Sequence, residues 1–243
     1  MIVGEGEARR AEIAANLAVL EQRVAAACGE AGRRREEVTV VAVTKTFPAS
    51  DVAHLAALGL RDVGENRHQD AAPKVAECAA AGLTELRWHF VGQLQTNKAG
   101  AVAAYADVVH SVDRVRLAAA LDRGAAQQGR VVTALVQVDL DPAEDAGRDR
   151  GGARPADVLA VAAAIDAAES LRLGGLMAVA PLTGSADEAF ARLAVIAAGL
   201  HPAYPHAGIV SAGMSVDLEV AIRHGATHLR VGTALLGSRP PLG

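Results

Sequence analysis

A lysine placed directly after an apolar, β-branched run is a candidate nucleophile. Residues 38–44 read Val-Thr-Val-Val-Ala-Val-Thr, and Lys45 follows. A strand here would carry the ammonium of Lys45 to the strand's end. Desolvation there favours the neutral amine, the species that attacks an aldehyde. A lysine reaching from a strand end to solvent accounts for that position equally well. A second cluster stands far along the chain, where SAGMSVD at 211–217 and RVGT at 230–233 follow two more apolar runs. Gly213 and Gly232 permit close backbone approach, and Ser211, Ser215 and Thr233 offer hydroxyl groups, a composition suited to a phosphate. Ser215 by itself reads as a helix N-cap. An amine facing a phosphate cradle is what an aldehyde phosphate requires.

These residues need elements to bring them together. Strands are expected over 38–44, 62–64, 86–91, 108–111, 131–139, 174–179, 208–211 and 228–232, with Ala/Leu-rich stretches of helical length between them. Ser50 and Asp51 offer a cap for the first of those helices, Ser185 with Glu188 spells a capping box, and Pro155 sits where a first turn begins. An amphipathic helix over 7–31 precedes the alternation, and Gly32 stops it. Eight apolar strands, each followed by a helix, predict one domain over 1–243. The expected fold is a single (β/α)8 TIM-type barrel with an extra N-terminal helix and no second domain. An open doubly wound sheet shares the pattern; the count of eight favours closure. Residues 139–152, rich in acidic residues and glycine, read as a mobile loop after the fifth strand.

In such a barrel the chemistry lies at the C-terminal ends of the strands. Polar residues do collect there: Lys45, then Asn66 after the second strand, His89 and Gln93 with the third, and Ser111 and Asp113 with the fourth. Asp139 ends the fifth, Met177 closes the sixth, and Ser211 and Arg230 belong to the last two.

Composition removes several alternatives. A net charge of −4 leaves no electrostatic footprint for nucleic acid. Charges and glycines interrupt every apolar stretch, so no membrane span is expected. The N-terminus lacks the pattern of a secretory signal, which points to the cytoplasm. Cys28 and Cys78 are the only cysteines, and their Ala-rich surroundings suit buried thiols better than a disulfide or a metal site.

AVTKT at 42–46, GENR at 64–67, WHFVGQLQTNK at 88–98, GLMA at 175–178, SAGMSVD at 211–217 and RVGT at 230–233 match one family in order and spacing. The chain resembles the YggS/PROSC family of pyridoxal phosphate homeostasis proteins over nearly its whole length. That resemblance implies a barrel like the N-terminal domain of alanine racemase, with pyridoxal 5′-phosphate held as a covalent aldimine to Lys45. It implies that Ser211, Gly232 and Thr233 hold the phosphate beside Gly213, and that Arg230 stands near the pyridine nitrogen. Asn66, His89 and Met177 match motif positions that line the site, although His89 also reads as a core histidine. The sequence departs from the family at Ala212, where methionine is expected, and at Arg67-His68, where an aromatic or aliphatic pair is common.

Three functions are compatible with these residues. The first is a protein of intracellular cofactor homeostasis that stores, buffers or delivers pyridoxal phosphate, with apo enzymes as acceptors and no catalytic residue of its own. The second is a racemase-like enzyme, which needs acid–base groups on both faces of a carbanion. The third is an aldolase-like barrel that forms its Schiff base with a sugar phosphate. Tyr105 and Tyr204 are the only tyrosines, and both precede strands, which places them away from the strand ends. An arginine beside the ring nitrogen also weakens the electron sink. Both points favour the carrier, and the expected state is a monomer.

Overall fold

The computed structural model describes residues 2–141 and 151–238. Eight parallel strands close into a barrel in sequence order: β1 (Thr39–Val43), β2 (Asp62–Glu65), β3 (Arg87–Phe90), β4 (Val108–Val112), β5 (Val132–Val138), β6 (Leu171–Ala178), β7 (Ile209–Ser211) and β8 (His228–Val231). All eight fall on the predicted runs, and β6 begins three residues early. The β7–β8 seam is thin, since Ser211 and His228 are its one register pair, whereas β8 closes onto β1 through four.

Helices cover the outside: α1 (Ile2–Glu30), α2 (Ala49–Ala57), α3 (His68–Ala80), α4 (Ala99–Ala103), α5 (Val115–Gln127), α6 (Val158–Asp166), α7 (Ala186–Leu200), α8 (Leu218–Arg223) and α9 (Thr233–Leu236). Ser185 caps α7, its hydroxyl accepting from the Glu188 N–H. The expected cap at Ser50 and Asp51 is not what forms. Pro48 holds the N-cap of α2, and Asp51 lies inside the first turn, where it pairs with Arg9 of α1. A carboxylate that meets a guanidinium from another helix is better satisfied there than by a local backbone N–H.

Strand alternation sorts side chains between two cores. Val40, Ala42, Val63, Trp88, Phe90, Val109, Leu229 and Val231 face outward and pack with the helices. Inside, Val108, Leu135 and Met177 pack with Val179 and Ile209 on one side of the barrel. The other side carries the interior polar groups Asp62, His89, His110, Ser211 and Arg230 beside Val41 and Val43. Cys28 and Cys78 are free, buried thiols, as expected, and burial pushes both above the ordinary thiol range. Among the described residues no helix is long and apolar enough to cross a membrane.

The predicted loop over 139–152 falls largely on 142–150, outside the described residues. Its returning end is fixed beside β5: the Ala153 N–H donates to the Gln137 carbonyl, and the Asp139 N–H to the Ala153 carbonyl.

Candidate functional site

The period of two along β1 decides where Lys45 goes. Val43 and Lys45 face one way and Thr44 the other. Val43 and Lys45 line a cavity of about 420 Å³ at the C-terminal mouth, together with Asn66, Arg230, Gly232 and Thr233. Phe47, Val91, Gly92, Val179 and the segment 214–216 complete its wall.

Lys45 sits in a tight turn. The Phe47 N–H donates to the Thr44 carbonyl at 3.0 Å, and Thr46 has φ of +71°. A positive φ at the third residue is the requirement of a type II turn, usually met by glycine, so a β-branched residue there carries strain. What holds the turn lies behind the barrel wall. Lys74 of α3 donates to the Thr44 carbonyl at 2.8 Å and to Glu65 Oε1 at 2.5 Å, and the Thr44 hydroxyl donates to the same Oε1 at 2.6 Å. Glu65 and Lys74 are both buried. The residue preceding Lys45 is therefore clamped by a buried ion pair.

The opposite wall is built from the β7–α8 loop and α9. Gly213, at φ of +88°, is required by packing as well as conformation, because a Cβ there would lie 2.6 Å from the Ala221 Cβ. Its carbonyl accepts from the Arg230 N–H. The Asp217 carboxylate accepts from the Met214 N–H at 2.6 Å and closes the loop. The Ser215 hydroxyl accepts from the Ala234 N–H at 3.2 Å, which ties this loop to α9. Gly92 marks another close approach, since a Cβ there would lie 2.0 Å from the Asn66 carbonyl oxygen.

Arg230 forms the floor. It is 5% exposed, donates from Nη1 to the Ser211 hydroxyl at 2.7 Å and from Nη2 to the Ala178 carbonyl at 2.8 Å. Burial pulls its pKa down to about 10, opposed by Asp217, so it remains a cation near neutrality. Beneath it the barrel is filled by polar side chains. Ser211 Oγ lies 2.9 Å from His110 Nδ1, His110 Nε2 lies 2.8 Å from His89 Nδ1, and His89 Nε2 lies 2.9 Å from Asp62 Oδ1. Burial, with the Arg230 guanidinium above it, holds His110 well below the ordinary histidine range.

The residues singled out by sequence thus divide. Lys45, Asn66, Ser215, Arg230, Gly232 and Thr233 meet at one cavity. His89, Met177, Ser211 and Gly213 do not line it: Met177 is in the apolar half of the barrel, Gly213 supports the loop, and His89 and Ser211 lie under Arg230. Sequence reading passed over His110 and the Glu65–Lys74 pair. The signal for His110 was present, a histidine two residues after Val108 on an apolar strand. Nothing local paired Glu65 with Lys74, which sit on different elements.

The alanine racemase N-terminal domain family matches residues 9–240. A pyridoxal phosphate homeostasis protein of Mycobacterium tuberculosis is 44% identical, over 95% of this chain and 94% of its own length. Its Escherichia coli counterpart is 38% identical, over 94% and 97%. The solved structure of PipY from Synechococcus elongatus, described with PLP bound, is 36% identical with a TM-score of 0.79, over 93% of this chain and all of PipY. A closed barrel of the alanine racemase N-terminal type, matched at these identities along almost its whole length, places the chain in the pyridoxal phosphate homeostasis protein family.

Proposed function

We propose that the mouth cavity binds pyridoxal 5′-phosphate through a Schiff base on Lys45, and that the protein stores, buffers or delivers the cofactor without turning over a substrate. The observation that carries this reading is one cavity bounded by a lysine just after β1 and by Gly232 and Thr233 after β8, with Arg230 between them. Its volume suits a small cofactor. Bound there, the group supplies an aldehyde to the amine and a phosphate to the opposite wall. Arg230 can only donate, so it suits a ring nitrogen that accepts. Thr233 and the backbone around Gly232 stand at the edge suited to the phosphate. The clamp on Thr44 fixes the direction of Lys45 without sharing its chemistry.

The tyrosines support a carrier over a racemase. Tyr105 lies outside the barrel wall with its ring stacked on His68, centroids 5.9 Å apart. Burial, together with the charge of Glu65, pushes its phenol above the ordinary range. Tyr204 packs edge-on to His206 before β7. Neither lines the cavity, so neither stands where a second acid–base group would act.

Incubation with pyridoxal 5′-phosphate and reduction with borohydride should fix a phosphopyridoxyl group on the peptide containing Lys45. Lys45→Ala should lose that adduct at this peptide. A parent protein that stays colourless and unlabelled refutes the reading, and measurable racemisation of single-enantiomer alanine or serine would revive the enzyme.

A further inference from the structure

A single file of hydrogen bonds crosses the inside of the barrel, from Asp62 at the start of β2 to Arg230 at the floor of the cavity. Its direction is forced link by link. Ser211 has two side-chain partners, and one of them, Arg230, can only donate. The Ser211 proton must therefore go to His110 Nδ1. A ring whose Nδ1 accepts is neutral and carries its proton on Nε2, and His110 Nε2 faces His89 Nδ1 at 2.8 Å. His89 Nδ1 then accepts, so His89 is also neutral with its proton on Nε2. That proton points at the Asp62 carboxylate, 2.9 Å away. The chain starts at a cation that cannot accept and ends at an anion that cannot donate, and every group between them uses one donor and one acceptor. The reverse direction leaves the buried Ser211 proton without an acceptor.

We propose that Asp62, His89, His110 and Ser211 form a one-way hydrogen-bond relay that positions Arg230 at the cavity floor. Ser211 is thereby a positioning residue, its proton committed to His110 and withheld from any phosphate. Both His89 and Ser211 serve the cavity without lining it. The relay deepens the proposed cofactor site, since the group it aims is the donor to the ring, but its existence does not depend on which ligand binds. Links of this kind reinforce one another in a low-dielectric interior. Arg230 is further fixed by the Ala178 carbonyl, which takes a second of its five N–H groups.

The test reads ring protonation in protein without ligand. Long-range ¹H–¹⁵N correlation on histidine-labelled protein, assigned with single His→Gln variants, should find His89 and His110 neutral with the proton on Nε2 alone. A charged ring at either position, or a proton on Nδ1, overturns the relay. Ser211→Ala removes the donor to His110, and the single-tautomer signature should be lost at His89 as well, which Ser211 does not touch. An unchanged His89 in that variant shows that the links do not act together and sinks the proposal. At the far end Asp62→Leu should disturb the tautomers, whereas Asp62→Asn keeps an acceptor oxygen and should preserve them. This second pair carries the test if Ser211→Ala does not fold, and equal behaviour of the two variants counts against the relay. With pyridoxal 5′-phosphate, Ser211→Ala should bind about tenfold more weakly through loss of a hydrogen bond to a charged group, while the Lys45 adduct still forms. Unaltered affinity would leave the histidines a packing role. Correct tautomers in a parent protein that binds no cofactor would keep the relay and refute the proposed function. The opposite pair of results would do the reverse.

Discussion

At the scale of single residues, Lys45 depends on groups that never reach the cavity. Thr46 keeps a backbone conformation that its side chain disfavours, and Lys74 and Glu65 hold the turn in place by bonding Thr44. Lys74→Met should cost about 3–5 kcal/mol, because it leaves Glu65 as a buried carboxylate without its cation. Adding Glu65→Leu should recover much of that loss, since a buried pair replaced by apolar side chains is often neutral. Denaturant unfolding of the two variants measures both. Recovery of stability with slower attachment of cofactor at Lys45 would separate the pair's role in aiming the lysine from its role in folding.

At the scale of elements, α1 acts as a brace on the site more than as a cover for the barrel's end. Arg9 pairs with Asp51 of α2 at 2.7 Å, donates to the Leu236 carbonyl at the end of α9, and lies over the Phe47 ring. Asn16 donates to the Leu235 carbonyl, and Arg23 to the Ser215 carbonyl. One helix thus holds α9, the β7–α8 loop and the last residue of the Lys45 turn. Arg9→Ala should lower stability by about 2 kcal/mol, since Asp51 and a helix-terminal carbonyl both lose a charged partner. It should also loosen cofactor binding. Arg10→Ala, one residue along the same helix, is the control that should change neither.

For the whole molecule, His110 and His228 stand inside the barrel wall with their imidazoles largely buried, and this makes the fold acid-sensitive. Burial brings His228 from the ordinary 6.5 down to about 4, and His110 moves the same way. Between those values the unfolded chain binds a proton that the folded chain refuses, so stability falls as pH drops. The contribution should be intact above about pH 6.5 and lost progressively toward pH 4, on the order of 3 kcal/mol for His228. Unfolding midpoints from pH 7.5 to 4.5 should show that decline. His228→Gln should flatten it, and a stability that rose in acid would contradict the burial of His110 and His228 as neutral rings.

Sequence alone established the strand count and favoured closure, and it put Lys45, Asn66, Arg230, Gly232 and Thr233 among a larger set of candidates at the strand ends. Strand period and the rule that loops follow strand ends are local physics, and Lys45 and Arg230 could be assigned an end of the barrel from them alone. It could not separate a residue that lines the cavity from one that lies beneath it. His89 and Ser211 carry the same motif signal as Asn66 and Thr233, yet their depth depends on register across three strand pairs. Only the tertiary structure decided that His110 joins them, that Lys74 reaches Thr44, and that Asp51 pairs with Arg9. Each of these contacts joins elements far apart in sequence. A buried polar group takes the partner that closure of the fold brings to it, and no local pattern records that choice.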